Sequence, residues 1–317
     1  MAQAKGSLSQ LVLDFETTFG SDPGTKAGKK MPFNDVSVSG SQALNTAQTI
    51  LNGRNPTMPF AGNKEVGGTI VVPVDLTAFP WWLRAVFGAP TTTGAGPYTH
   101  VFKVPTAQPS MVLEKKFDFG TSQTYIKANG CKVGSLDIAF GGDGELTASL
   151  EIVGASEAAP NSTPYAASPT ALTLARLGNF QAAILEGGSA ISTVTDLKLK
   201  LGCNLDTSSR CIGGGGVLAD LPEGVVEVSG SLTALFDATT LLTKAAGLTE
   251  SSLAVTLTSG THSLKLEVPE LLYSPKSPGI NGPMGIKQDY SFQGYYDNAA
   301  GASAMIVTLV NAVATYA

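Results

Sequence analysis

The stretch that begins at Gly67, GGTIVVPVDLTAFPWWLRAVFG, changes its hydrophobic period halfway along, and this constrains the fold more than any other feature. Residues 69–74 are a β-branched run that suits a strand. From Leu76 the spacing alters, and Leu76, Phe79, Leu83 and Val86 recur on one face of a helix. Pro80 fits a first helical turn, where its missing N–H costs nothing, and Gly88 is a fitting stop. The same succession returns at 224–247, GVVEVSGSLTALFDATTLLTKAAG, where Leu232-Thr233-Ala234 repeats Leu76-Thr77-Ala78. There Leu232, Leu235, Phe236 and Leu242 outline a second helix ending at Gly247. A strand-then-helix unit used twice predicts a duplicated domain.

The rest of the chain keeps that order. Sliding it by about 160 positions, as in a repeat search, sets Asn34-Asp35-Val36 on Thr195-Asp196-Leu197 and brings Gly68 to Gly224. Alternation predicts strands at 11–19, 34–39, 99–104, 110–119, 125–133, 135–140 and 145–153 in the first half. Asp143-Gly144 between two alternating runs is a hairpin signal. In the second half the strands fall at 180–185, 196–201, 252–257, 264–271, 287–295 and 305–311. Residues 155–170, ASEAAPNSTPYAASPT, are small, polar and proline-bearing and read as a linker. The expected organisation is therefore two β domains, residues 1–160 and 161–317.

Charged residues make up 14% of the 317 positions, against roughly 25% in an ordinary soluble domain. So few charges fit either a surface buried against other subunits or a turn-rich β protein with a Ser/Thr surface. The net charge of −5 argues against binding nucleic acid through phosphate neutralisation. Cys131, Cys203 and Cys211 have no C-x-x-C spacing, so they form neither a disulfide framework nor a zinc site, and free thiols suit a reducing cytoplasm. The first ten residues lack the apolar core of a secretory signal. The apolar stretch 299–317 is rich in β-branched residues and lacks flanking Lys or Arg, so 305–311 reads as a closing strand rather than a membrane span.

Catalytic constellations are missing. His100 and His262 have no Cys, His or carboxylate at ligand spacing, and each lies in a strand-like run. Gly213–Gly216 lacks the Gly-Lys-Ser/Thr ending of a phosphate loop, so it reads as a flexible loop. No enzyme, metal or cofactor is expected.

The order of polar strand, Asn52-Gly53-Arg54, Gly-Gly-strand at 67–74, apolar helix to Gly88 and β-meander resembles the tail tube proteins of long-tailed bacteriophages. The resemblance covers both halves. The second half has Ser209-Arg210 in place of Asn52-Gly53-Arg54, and an enlarged loop at 279–285. It implies a β-sandwich or half-barrel with a short flanking α-helix in each half, six such domains closing a ring, and rings stacking into the tube through which DNA leaves the capsid. A two-domain chain would form trimers with pseudo-sixfold symmetry. The implied partners are further copies of this chain, the tape-measure protein and DNA in the lumen without specific binding, and tail terminator and distal tail proteins at the tube ends, with no membrane. The implied location is the virion tail, after assembly in the host cytoplasm.

Few charges suit a chain with most of its surface in interfaces, and net negative charge suits a DNA conduit. Long loops kept in a rigid assembly order on a partner, which points to the arm at 20–31 and the loop at 120–124 as contacts between rings. The candidate assembly contacts are Phe19, Lys26, Lys29, Lys30 and Phe33 on or beside the arm, Phe119 and Tyr125 flanking the second loop, and Trp81 as an interface anchor. The alternative is a secreted or virion-surface β-rich adhesin or carbohydrate-binding module, which needs exposed aromatic platforms and an export signal.

Overall fold

A computed structural model describes residues 3–280, 282–297 and 303–316. The chain is mainly β, and its α-helices among the described residues are α1 (Phe79–Phe87) and α2 (Thr240–Ala246). Before α1 come β1 (Gln10–Phe15), β2 (Lys29–Met31), β3 (Asp35–Val36), β4 (Ser39–Asn45) and β5 (Phe60–Pro73). Between the helices lie β6 (Thr91–Thr93), β7 (Tyr98–Lys103), β8 (Met111–Asp118), β9 (Gln123–Phe140), β10 (Thr147–Gly154), β11 (Ser156–Glu157), β12 (Thr170–Ala171), β13 (Ala182–Glu186), β14 (Ser189–Ala190), β15 (Val194–Gly202) and β16 (Glu227–Leu235). After α2 come β17 (Ser251–Ser259), β18 (His262–Tyr273), β19 (Lys287–Gly294) and β20 (Ile306–Asn311).

One ladder runs the width of the molecule. From β3 and β4 it passes through β5, β10, β9, β15, β16 and β19 to the end of β18, and every pairing is antiparallel. Two further sets of strands branch from it. In the first, β2, β1, β8, the first half of β9 and β11 follow one another, and β12 adds to β2 in parallel, which makes the sheet mixed. In the second, β14, β13, β17, β18, β20, β7 and β6 do so. The long strands β9 and β18 belong to the ladder and to a branch. Residues of both halves, from Leu11 to Tyr316, share one continuous apolar core.

The strand-to-helix unit at 67–88 forms as its periodicity predicts. Leu76 to Ala78 lie in the turn between β5 and α1, where the buried carboxylate of Asp75 collects the backbone donors of the helix start. Its Oδ1 accepts from the N–H groups of Thr77 at 2.7 Å and Ala78 at 2.8 Å, and its Oδ2 accepts from Phe79 N–H at 3.0 Å. Pro80 sits in the first turn, and Gly88 closes the last with φ 71° and an N–H donated to Arg84 O. Phe79, Trp82, Leu83 and Val86 enter the core. Burying each such side chain is worth about 1.5–3 kcal/mol.

The second unit departs from expectation. Leu232 and Leu235 lie within β16, and α2 is confined to Thr240–Ala246. The reason is tertiary, since β16 is paired from Glu227 to Ala234 with β15 and from Val228 to Leu235 with β19, and two full ladders override a helical spacing. The two Leu-Thr-Ala steps therefore occupy different places, one after its strand and one inside it. Likewise 125–133 and 135–140 are one strand, β9, which bends past Gly130 with φ 64° and shifts register opposite Glu151/Ile152 as it passes from the first branch into the ladder.

Residues 155–170 are a strap rather than a free linker. Asn161 exchanges two backbone hydrogen bonds with Tyr125, and Tyr165 and Ala166 are buried against Val12 and Val112. The closing strand is β20, joined to β18 and β7, while residues 299–302 and 317 of the apolar stretch lie outside the described residues. Among the described residues no helix is long and apolar enough to cross a membrane.

Candidate assembly surfaces

Alternation along the ladder sorts its side chains into two faces. Ile70, Leu150, Ile138, Leu199, Leu232 and Phe292 point into the core, each at most 4% exposed. The opposite face carries Ser149, Glu151, Asp137, Lys198, Lys200 and Ser229 on the central strands, with Ser231, Thr233, Asp289, Ser291 and Gln293 beyond. Hydroxyls, carboxylates and amines there are knitted across strands: Lys200 Nζ lies 3.8 Å from Asp137 Oδ1, and Thr233 Oγ1 donates to Asp289 Oδ1 at 3.2 Å. From β5 to β19 no aromatic side chain stands on this face among the described residues. An adhesin built on exposed aromatic platforms has none to use here.

The ladder is open at both ends. All seven residues of β4 are exposed, and its only ladder partner among the described residues is β5. At the far end the chain leaves β18 at Tyr273 and continues along β19, where Ser274 N–H donates to Ser291 O and Gln288 Nε2 donates to Lys276 O. Residues 275–277 are exposed. Unpaired strand edges seek another chain.

The loop joining β4 to β5 is an apolar projection. Ile50 and Met58 are each 90% exposed, and Leu44, Leu51 and Phe60 are also exposed. Clusters of exposed apolar residues mark interaction sites. Above the adjoining strands, residues 205–218 arch over a cavity of about 470 Å³ lined by Ser39, Glu65, Val153 and Arg210. Arg210 Nη1 donates to Lys64 O and Gly216 O, and Lys64 N–H donates to Gly216 O. The glycine run therefore clasps β5. Lys132 Nζ, 2.7 Å from Glu223 Oε1, ties down the end of this excursion. Burial pushes the Glu223 carboxyl up, but hydrogen bonds from Lys132 and Gln108 N–H outweigh it and hold it below its ordinary value.

The arm at 20–31 is pinned rather than loose. Asp14 Oδ2 accepts Ala27 N–H, and Lys29–Met31 add to β1. Burial pushes the Asp22 carboxyl up, and bonds from Lys127, Asn129 and Lys26 more than offset it, leaving it below the usual range. Lys26 is exposed, ion-paired to Asp22 and 5.0 Å from the Tyr165 ring centre. Lys29 Nζ stands 3.9 Å from the Trp81 ring centre, where burial lowers its pKa. Trp81 is 8% exposed, edge-on to Tyr316 and beside Phe15 and Arg84. Both tryptophans are thus packed within the chain.

The other sequence-derived contacts scatter. Phe19 is partly buried against Ala155, Leu218 and Leu221, and Phe33 packs on the main core. Lys30 is exposed on β2, Phe119 is half-buried in a turn closed by its N–H to Ser122 O, and Tyr125 is buried with its OH on Gln123. Of these candidates Lys26 and Lys30 are the exposed ones, and Lys26 is already ion-paired to Asp22. Periodicity in the sequence does not mark the β4–β5 projection or the ladder's edges, although Ile50-Leu51 and Met58 inside a polar loop signal the first.

His100 is wholly buried, with Nε2 2.9 Å from Val313 O and Nδ1 2.8 Å from Thr92 Oγ1, a satisfied structural residue. Among the described residues no group of His, Cys, Asp and Glu could hold a metal ion.

A polar-faced ladder with open edges and an apolar projection defines a structural protein built to associate. The family model of the phage tail tube protein matches residues 6–294. The chain belongs to the phage tail tube protein family: it is a structural, non-enzymatic component of the phage tail and self-assembles there. No curated protein matches it.

Proposed function

We propose that the chain is two tandem copies of one tube domain, broadly residues 1–160 and 161–317, and that three chains close a pseudo-sixfold ring around a lumen. The observation that carries this is the order of strand pairing. In the first half β2–β1–β8–β9–β11 and β4–β5–β10–β9 share the long strand β9. In the second, β14–β13–β17–β18–β20 and β15–β16–β19–β18 share β18 in the same way. Each half places its helix after the equivalent strand, β5 or β16.

Register supports the same reading. Asp35 opposite Val71 corresponds to Asp196 opposite Thr233, and Gly68 opposite Ile152 corresponds to Gly230 opposite Phe292. Gly68 therefore matches Gly230, not Gly224. The β6–β7 hairpin is extra to the first copy and reaches across to β20.

In this ring the polar face of the ladder lines the lumen. Its serines and threonines, and carboxylates such as Asp137, Glu151 and Asp289, offer phosphates no continuous basic track, so DNA passes without being held. The tape-measure protein would fill the same lumen before ejection, and terminator and distal tail proteins would close the tube ends. The exposed loop between β4 and β5, with Lys26 and Lys30 of the arm, would meet the next ring. Electron microscopy of the purified, polymerised protein tests this. Rings of three chains with six similar lobes around an open channel are expected; rings of six chains, or a solid filament, would refute it.

A further inference from the structure

Within the ladder the structure holds one join between the equivalent halves. The second half of β9 pairs with β15, Phe140 opposite Leu197 through Ser135 opposite Gly202. That is the last ladder strand of the first copy against the first ladder strand of the second. We infer that the same join, repeated between chains, closes the ring: residues 274–279 of one chain add as a strand to the β3–β4 edge, residues 36–41, of a second copy. This rests on the ring reading above.

Three observations carry it. The first is position. Ser274 N–H donates to Ser291 O, so Ser274 stands beside β19 where Ser135 stands beside β10 opposite Glu151. Lys276 then takes the place of Asp137, and Ser39, opposite Gly67 on β5, takes the place of Lys200, opposite Ser229 on β16. Because Asp137 faces Lys200 across the internal join, Lys276 faces Ser39 across the proposed one.

The second is direction. Every neighbour in the ladder is antiparallel, so β18 at one end runs opposite to β4 at the other. A head-to-tail contact between copies continues the alternation, as a closed ring requires.

The third is the state of the two edges. Residues 274–277 are exposed and extend beside β19 without a strand on their other side among the described residues. Pro275 and Pro278 remove two donors from that segment, a composition that guards an edge against indiscriminate pairing. On the opposite edge Ser37 N–H donates to Thr69 O, so the neighbouring Val38 carbonyl points off the sheet, where Lys115 Nζ caps it. In the ring Ser277 N–H is its partner.

Lys276 turns its carbonyl toward Gln288 and Ser39 lies opposite Gly67, so the pair falls at a non-hydrogen-bonded position. Such Cα atoms approach to about 4.5 Å, within disulfide reach. The test is oxidative cross-linking of the assembled protein in a Cys211→Ser background, which removes the exposed thiol and leaves the buried Cys131 and Cys203. Chains carrying Ser39→Cys and Lys276→Cys should yield covalent dimers and trimers, at least about tenfold more than a Ser39→Cys, Thr261→Cys control, because assembly raises the effective thiol concentration at one edge only. Mixed single variants should stop at dimers. Tubes that form without the 39–276 cross-link overturn this edge pairing and leave the ring reading standing. Failure to form any oligomer overturns both.

Discussion

Replacing Asp75 isolates the contribution of one buried carboxylate to the strand-to-helix turn. The side chain is wholly buried and accepts the N–H groups of Thr77, Ala78 and Phe79. Asp75→Ala removes every acceptor at once. Thr77 is partly exposed and can turn to water, but Ala78 and Phe79 are 1% exposed and cannot. Two orphaned buried donors at about 1–3 kcal/mol each give a loss of about 2–6 kcal/mol, above the ~0.5–2 of an exposed cap. Asp75→Asn keeps one carbonyl oxygen and the shape, and should lose about 1–2 kcal/mol. With a urea slope of about 3 kcal/mol per M, the alanine variant's midpoint falls by roughly 1–2 M. Trp81 and Trp82 lie in α1, so tryptophan fluorescence of the dilute, unassembled chain reads this element directly. If the alanine and asparagine variants unfold at the same urea concentration, or alanine at the wild-type midpoint, the carboxylate is not what holds the helix start.

Three further outcomes are expected. A Cβ at Gly230 would lie 2.2 Å from Lys198 O and 2.5 Å from Phe292, whereas at Gly134 the nearest atom is 3.6 Å away. Gly230→Ala should therefore cost about 3 kcal/mol or more through overpacking in urea unfolding, and Gly134→Ala should stay within about 1. The depressed Glu223 carboxyl contributes stability that is full above its ordinary value of 4.5 and is lost as pH falls through its lower folded value. Urea midpoints measured from pH 7 down to 3 should thus decline less steeply for Glu223→Gln than for wild type. Ile50→Ser with Met58→Ser should leave monomer stability within about 0.5 kcal/mol, as for exposed sites, and should lower the extent of tube formation measured by sedimentation.

Local chemistry in the sequence was enough for the mainly β class, most strand positions and the first helix. Alternation at 145–153 and 196–201 marks which side chains are buried, because the two faces of a strand differ in solvent. Pro80 and Gly88 punctuate α1 through backbone dihedrals that each residue carries on its own. Partner choice is another matter. The hydrogen bonds of a ladder are made by backbone groups common to every residue, so nothing in 135–140 names 197–202 as its neighbour. Only the folded chain joins β9 to β15, turns Leu232 and Leu235 from a helical spacing into β16, and draws 155–170 down onto β1, β8 and β9.

The proposed repeat divides in the same way between letters and register. Asn34-Asp35-Val36 on Thr195-Asp196-Leu197 follows both, since Asp35 opposite Val71 and Asp196 opposite Thr233 take the same place in the proposed alignment. Leu76-Thr77-Ala78 on Leu232-Thr233-Ala234 follows letters alone, and tertiary pairing separates the two steps. The unit at 67–88 is written in its own residues because its strand, cap and helix interact over a few positions. The equivalence proposed between it and the stretch around Gly230, and the edges at which a second copy would join, depend on contacts between residues far apart in the chain, and those exist only once the ladder has formed.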